Sequence, residues 1–365
     1  MKKAIFEVAT LADAVSKANR IAPTKGAAHD RAAGIVVEVD PDSLEPVVLK
    51  STDLDVTFRM VVNVLEMGDE KVTWRVPSQL FNGIMSTLPV GQSSTVRLAE
   101  NGDGNVYFLC GKTKAKLRLI VAEYPTWQPF STNDLATVPG LARRLTQVAW
   151  ATDQKGSGIL GGVHIDGEFL YGCDRANLAI VPCKVPVDRP VTAPLTDIAS
   201  LIKNTSEVAM RAGVERIELM PDAWTQTTCV LFGGEYPNVR NLLNRTKPIG
   251  EVLIQTEELV AALDKMLVLV KSERYPTTTI KIGDGSVYLE MEVPDVGKIA
   301  DEIDAVGGET GGTQFIITFS PDCLKNALMA SGREKVTIKY GPTNLSPIIV
   351  EDDNEFMALM MPRQK

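Results

Sequence analysis

Apolar residues recur along this chain in two rhythms, and the pair of rhythms comes round three times. "LADAVSKANRI" (residues 11–21), "GLARRLTQVAWA" (140–151) and "ELVAALDKMLVLVKSERY" (258–275) each predict an amphipathic helix. A shorter helical stretch follows each of them. "VPSQLFNGIMSTLP" (76–89) puts Leu80, Phe81, Ile84, Met85 and Leu88 on one face, and Pro77 and Ser78 suit its start. "APLTDIASLIKNTS" (193–206) carries Ile198, Leu201 and Ile202 in the same way. "FSPDCLKNALMASG" (319–332) begins on Ser320-Pro321 and carries Leu324, Ala327 and Leu328. Strand patterns fill the intervals, with period two clearest in "DVTFRMVV" (55–62) and "SVYLEMEV" (286–293). Residues 94–120 predict a hairpin turning on Asn101-Gly102-Asp103-Gly104, and residues 214–231 and 335–361 repeat that arrangement less cleanly.

The tripeptide Glu-Tyr-Pro marks the period. It stands at 123–125 and again at 235–237, each time after an alternating stretch. The third unit ends instead at the C-terminus. Three α+β units, each helix–strands–helix–strands, account for the whole chain, with boundaries at 1–127, 128–248 and 249–365. A chain of 365 residues is too long for one ordinary core, which agrees with that division.

Composition narrows the chemistry. With 44% hydrophobic and 23% charged residues the chain reads as soluble and globular. It has no apolar run long enough to span a membrane, and its N-terminus alternates rather than forming a signal-peptide core. A cytoplasmic protein is expected. Cys110, Cys173, Cys183, Cys229 and Cys323 are odd in number and lack any C-x-x-C pair, against both a disulfide framework and a zinc site. Only His29 and His164 are available as histidine bases or ligands, which disfavours an enzyme without excluding one. A net charge of −8 argues against a uniformly basic surface, yet a local basic face would suffice for nucleic acid.

The order and spacing of several stretches resemble the DNA polymerase III beta subunit family, the bacterial sliding clamps. "STDLDVTFRMVVNV" looks like the family's Thr-Asp-Leu-Glu strand. "GCDRANLAIVPC" stands where the family has a Thr-Asp-x-x-Arg-Leu-Ala turn, and "GGEYPNVRNLLN" is similar to its Gly-x-Phe/Tyr-Pro-x-Tyr-x-x-Leu element. Met361-Pro362 matches a C-terminal Met-Pro. The resemblance implies an α+β DNA clamp fold of three repeated domains, each with two helices packed on antiparallel sheet. It implies a head-to-tail homodimeric ring around duplex DNA, helices inside, that tethers the replicative polymerase and catalyses nothing. No cofactor is implied.

The resemblance also assigns residues. A cleft for peptides of the polymerase, clamp loader and repair proteins would comprise Leu160, Cys173, Arg175, Leu178, Pro237, Leu242 and Tyr275. It would continue through Ser320, Cys323, Leu345, Leu359, Met360, Met361 and Pro362. Met and Leu give an adaptable apolar surface, although spacing alone leaves most of these as ordinary core residues. Asn177, Cys173 and Asn241 depart from the family pattern, as does the terminal Arg363-Gln364-Lys365, so a different peptide preference is expected. Dimer contacts map to Ala115 and Leu117 on an edge strand and to Leu269 and Val270 on a helix; Ala115 replaces a bulkier residue.

DNA contact by a sliding protein should be electrostatic and blind to sequence. Candidates are Lys17, Arg20, Lys25 and Arg31 in the first unit and Arg143, Arg144, Gln154, Lys155 and Lys203 in the second. Residues 11–20 hold Lys17 and Arg20 against Asp13, a net of +1; residues 140–151 carry +2 and residues 257–274 carry −1. The inner face is thus less acidic than the chain but not strongly basic. Two other readings stay open. One is an enzyme using the glycine-rich segments 283–286 and 306–313, which match no phosphate-binding signature and read better as a hairpin turn and a loop. The other is a clamp-shaped scaffold or decoy that binds partner peptides without encircling DNA.

Overall fold

The computed structural model describes residues 2–23, 31–91, 94–126, 128, 130, 135–153, 158–270, 277–283, 285–309 and 315–363, apart from the side chains of residues 244, 245, 270 and 309. The chain divides into two compact units, Met1–Pro139 with Glu207–Leu231, and Gly140–Ser206 with Phe232–Lys365.

In the first unit, helices α1 (Val8–Ile21) and α2 (Ser78–Thr87) pack against each other. Helix α1 buries Val8, Leu11, Ala14, Val15, Ala18 and Ile21, the three-and-four spacing of one apolar stripe. The stripe of α2 is narrower than its sequence suggests. Phe81 and Met85 are buried, Ile84 is half-buried, and Leu80 is 57% exposed. Leu80 precedes Phe81 by one residue, about 100° around the helix, and so turns away from the core.

Two antiparallel sheets complete this unit. The smaller runs Glu66–Met67, Lys3–Glu7, Thr95–Glu100, Asn105–Cys110, Thr113–Arg118. The larger has eight strands and joins distant parts of the chain: Thr225–Val230 pairs with Val56–Val61, with Thr227 opposite Phe58. Trp74, Phe6, Phe58, Phe81 and Phe108 are among the largest fully buried side chains of this unit.

Among its described residues the second unit holds five α-helices: α3 (Leu141–Ala149), α4 (Thr196–Ile202), α5 (Val239–Arg245), α6 (Thr256–Val270) and α7 (Pro321–Ser331). Helix α3 packs on α4 and α6 on α7, and α3 also meets α7. Helix α7 starts on Ser320 with Pro321 in its first turn and stops at Gly332 in the left-handed conformation, φ 62°. A nine-stranded antiparallel sheet runs Val191–Ala193, Val163–Ile165, Phe169–Cys173, Asn177–Pro182, Met357–Met360, Ile348–Glu351, Lys335–Tyr340, Gly250–Gln255, Gly307–Glu309. The glycine-rich stretch near 306 therefore includes a paired edge strand rather than only a loop; residues 310–313 lie outside the described set. The four-stranded sheet runs Gly297–Asp304, Ser286–Val293, Thr278–Gly283, Phe315–Phe319. Gly283 faces Ser286 in its register, closing a tight hairpin as expected.

The repeat is visible in local geometry. Asp53 Oδ1 accepts from the backbone N–H of Asp55 and Val56 at 3.0 and 2.7 Å. Asp174 Oδ1 does the same for Ala176 and Asn177 at 2.8 and 2.6 Å. Both aspartates turn the chain between two paired strands. At Gly172 the strand presses on the end of α3: a Cβ there would sit 2.0 Å from the Val148 carbonyl oxygen.

Candidate functional site

The end of the nine-stranded sheet carries the apolar surface expected from Met361-Pro362. Strand alternation places Tyr171, Leu178, Ile180, Ile349 and Leu359 in one buried cluster, and Val239 of α5 joins it. Cys173 and Leu243 pack against that cluster. In register, Cys173 faces Leu178, Leu178 faces Leu359, and Asn177 faces Met360.

Leu178, Leu359 and Met360 are only 1–2% exposed. Leu178 and Leu359 form the floor beneath the surface, because their two strands pair in mid-sheet rather than at an edge; Met360, next along its strand, points to the other face. The accessible apolar atoms belong to Leu242 on α5, 43% exposed, to Met361, 37% exposed, and to exposed Pro237. Met361 is fixed where the strand ends, its N–H donating to the Ala176 carbonyl at 2.7 Å, and the Arg363 N–H donates to Thr318 at 2.8 Å. Cys173 and Pro362 are half-buried and Arg175 is exposed. Leu160, Leu345, Ser320 and Cys323 are outside the buried cluster: Leu345 is exposed, Leu160 and Cys323 half-buried, and Ser320 stands buried at the N-cap position of α7 without a side-chain capping bond. Tyr275 lies outside the described residues.

Helix α5 has only seven residues, so its anchoring decides where Leu242 sits. The Asn238 side chain caps it, accepting from the Asn241 N–H at 3.2 Å. Arg240 ties it to the sheet: Nε donates to the Tyr171 hydroxyl at 2.7 Å and Nη2 to Asp166 at 3.1 Å. The guanidinium lies 4.5 Å from the Phe169 ring centroid. Tyr171 in turn donates to Asp166 at 2.6 Å, and burial pushes its hydroxyl up to about 12. This clamp has no short-range signature, since Asp166 and Arg240 are 74 residues apart.

Before α5, Tyr236 stacks on His164 with ring centroids 4.2 Å apart. Burial holds His164 below the usual histidine range and pushes Tyr236 up. It also pushes the Cys173 thiol up to about 11, so this cysteine stays protonated near neutrality. Asn177, which replaces an arginine of the family pattern, is buried and donates to Asp174 at 2.8 Å. It braces the turn and offers nothing to a ligand.

The candidate cations are treated unequally. Arg144 is half-buried and its guanidinium donates to the Pro182 carbonyl, a neutral acceptor that holds the side chain without offsetting its charge. Lys17 pairs with Asp13 at 2.7 Å, and Arg20 sits in the last turn of α1. Arg31, Arg143 and Lys203 are exposed. Lys25, Gln154 and Lys155 lie outside the described residues, as does His29.

For the dimer contact, Ala115 and Leu117 lie half-buried on Thr113–Arg118, an edge strand. Leu269 is half-buried on α6, and the Val270 side chain lies outside the described set. Among the described residues α6 also exposes Val268, at 67%, a position that the resemblance does not assign. Among the described residues no three His, Cys, Asp or Glu side chains gather to hold a metal, and no helix is long and apolar enough to cross a membrane.

Comparison with known proteins agrees with this geometry. The family model for the DNA polymerase III beta subunit, C-terminal domain, matches residues 246–364. The beta sliding clamp of Streptococcus pneumoniae (serotype 4, strain ATCC BAA-334 / TIGR4) is 29% identical over 136 residues, 36% of this chain. That alignment spans 35% of the relative's length. The whole chain overlies the crystal structure of the Thermotoga maritima DNA polymerase III beta subunit with a TM-score of 0.81 at 18% identity, covering 100% of both. It overlies the Bacillus subtilis sliding clamp with a TM-score of 0.78 at 19% identity, covering 100% and 99%. At such identities these two likenesses establish the fold.

Proposed function

We propose that this chain, whose residues 246–364 match the C-terminal domain of the DNA polymerase III beta subunit family, is a sliding clamp, a non-catalytic cytoplasmic dimer that encircles duplex DNA and tethers the replicative polymerase. The observation that carries this reading is the buried cluster of Leu178, Leu359 and Val239, flanked in sequence by exposed Pro237, Leu242 and Met361. Peptides of the polymerase, loader and repair proteins would dock there, their apolar side chains covering what the fold leaves wet.

The three-domain division at 1–127, 128–248 and 249–365 is supported by the recurring helix pairs α1–α2, α3–α4 and α6–α7. A head-to-tail dimer is supported by two complementary sheet edges. Thr113–Arg118 carries Lys114, Lys116 and Arg118 with no acid, whereas Gly297–Asp304 carries Asp301, Glu302 and Asp304 against Lys298. Pairing the first edge with the second edge of another copy would satisfy open backbone groups and opposite charges together. DNA would be held loosely by phosphate contacts from Arg31, Arg143, Lys203, Lys17 and Arg20.

One observation favours a second reading. Lys17 is paired with Asp13 within the chain, which thins the positive charge available to DNA. A clamp-fold scaffold that binds peptides without encircling DNA would need no such charge. The test is retention on nicked circular DNA after incubation with its clamp loader and ATP. A ring stays on the circle through gel filtration and is lost when the circle is cut. A scaffold is never retained, although it still binds the polymerase peptide.

A further inference from the structure

On the same sheet face, two residues further along the strands than the floor of the cleft, lies a separate cavity of about 510 Å3. Its floor is apolar: Phe169, Ile180, Leu243, Phe356 and Met357. None of its lining residues coincides with a position assigned to the clamp cleft. Helix α5 stands between the two, with Leu242 exposed and Leu243 turned into the cavity wall.

The rim is charged and one-sided. Arg240 closes one wall, but its guanidinium is committed to Asp166, Tyr171 and the Phe169 ring. The facing turn brings Glu351, Asp352, Asp353 and Glu355 within five residues. Glu351 pairs with Lys339 at 2.6 Å and Asp353 with Arg333 at 3.0 Å. The charge offered to a ligand therefore comes from the other two. Asp352 accepts from neutral groups, the Ser331 hydroxyl and the backbone N–H of Asn354 and Phe356, and among the described residues no cation pairs with it. Among the described residues Glu355 has no ion-pair partner, and its backbone is held in the left-handed region at φ 62°.

A hollow of this size lies within the range of ligand-binding pockets, about 300–1,000 Å3. An aromatic and aliphatic floor with two uncompensated carboxylates above it is complementary to an apolar body carrying a cation. We propose that the cavity is a second docking site, taking a peptide segment in which a bulky apolar side chain is flanked by lysine or arginine. It would admit a partner distinct from the cleft's, or a second segment of the same one. The inference does not depend on the chain encircling DNA.

The experiment is methyl NMR on the full chain with two probes, acetyl-Gly-Leu-Phe-Lys-Lys-amide and its charge-reversed partner acetyl-Gly-Leu-Phe-Glu-Glu-amide. The Ile180 Cδ1 and Met357 Cε methyls report the cavity, and the Met361 Cε methyl reports the cleft. The lysine peptide is expected to shift the two cavity methyls in a saturable way, and the glutamate peptide to leave them in place. Glu355→Lys, an exposed change, should weaken the lysine peptide about fivefold without altering the rest of the spectrum. Equal shifts with both peptides, unchanged cavity methyls, or undiminished affinity in E355K would each overturn the proposal. Shifts confined to Met361 would overturn it too, while leaving the cleft reading intact.

Discussion

His164 and Tyr236 stack face to face, their ring planes within 4° and their centroids 4.2 Å apart. His164 Nδ1 also meets the Thr192 hydroxyl at 2.9 Å. Tyr236 packs on the buried cluster and is followed directly by Pro237, so this stack sets where the segment before α5 leaves the sheet. Burial depresses the His164 pKa, with Asp166 opposing more weakly.

Stability should therefore fall on mild acidification. A depressed histidine pKa means that the folded state prefers the neutral ring. Its contribution is complete above the unfolded value near 6.5 and is lost as pH falls through that value toward the folded one. The urea midpoint is expected to drop between pH 7.5 and 5.5, and the drop to be smaller in His164→Gln. An identical slope in wild type and variant would show that His164 is not the group responsible.

Arg240→Ala should separate affinity from stability. The side chain is 55% exposed, so its ion pair and stacking are worth at most about 1 kcal/mol to the global fold. A seven-residue helix has few other anchors, and without this one Leu242 loses its fixed place relative to Met361. A clamp-binding peptide should bind at least fivefold more weakly by fluorescence anisotropy, with a nearly unchanged melting curve. Arg240→Lys should recover little, because an ammonium cannot reproduce the two directed bonds and the stack on Phe169. Wild-type affinity in R240A would remove Arg240 from any role in the cleft.

Much of the fold was legible because it is periodic. The stripe of α1, the Ser320-Pro321 start of α7 and the alternation in Ser286–Val293 each follow from local spacing. What escaped is long-range. The pairing of Thr225–Val230 with Val56–Val61 joins segments about 170 residues apart, and no local pattern encodes it. At the site, resemblance pointed to Leu178 and Leu359 but could not reveal that mid-sheet pairing buries them, leaving Leu242 and Met361 to face solvent. Nor does spacing show that half-buried Arg144 donates to the Pro182 carbonyl, 38 residues along the chain. The Glu-Tyr-Pro repeat carried more than sequence could express. Tyr124 lies under the Arg75 guanidinium and Tyr236 on His164, each a buried ring that ends its repeat.

Dimerisation should be governed by the two charged edges. Lys114 and Lys116 lie on the exposed face of one edge strand, and Glu302 and Asp304 on the exposed face of the other. Lys114→Glu combined with Lys116→Glu is expected to raise the dimer dissociation constant about tenfold or more in low salt, with a smaller effect at high ionic strength. Adding Glu302→Lys and Asp304→Lys to the same chain should restore association. Sedimentation velocity reads both. A quadruple variant no tighter than the double one would mean that these edges do not meet.

Arg75 makes the most consequential buried polar contacts in the first unit. It is 5% exposed, and from the strand Val72–Val76 its guanidinium donates to four backbone carbonyls. Nε bonds Ala33 at 2.7 Å, Nη2 bonds Arg31 at 3.1 Å, and Nη1 bonds Ala122 and Glu123 at 3.1 and 3.0 Å. The cation thereby ties residues 31–33 to the Glu-Tyr-Pro exit, and its carbon lies 4.9 Å from the centre of the Tyr124 ring. Arg75→Met keeps the volume and strands all four carbonyls, which should cost about 3 kcal/mol. Arg75→Lys, with three donors and no planar fork, should fall between the two. Tyr124→Phe is the control: it keeps the ring beside the Arg75 guanidinium and leaves the four carbonyl contacts in place, so it should cost much less than Arg75→Met. Urea denaturation monitored by tryptophan fluorescence measures all three. If R75M were as stable as wild type, the carbonyls would have to find water, and the clasp would be incidental to how the first repeat closes.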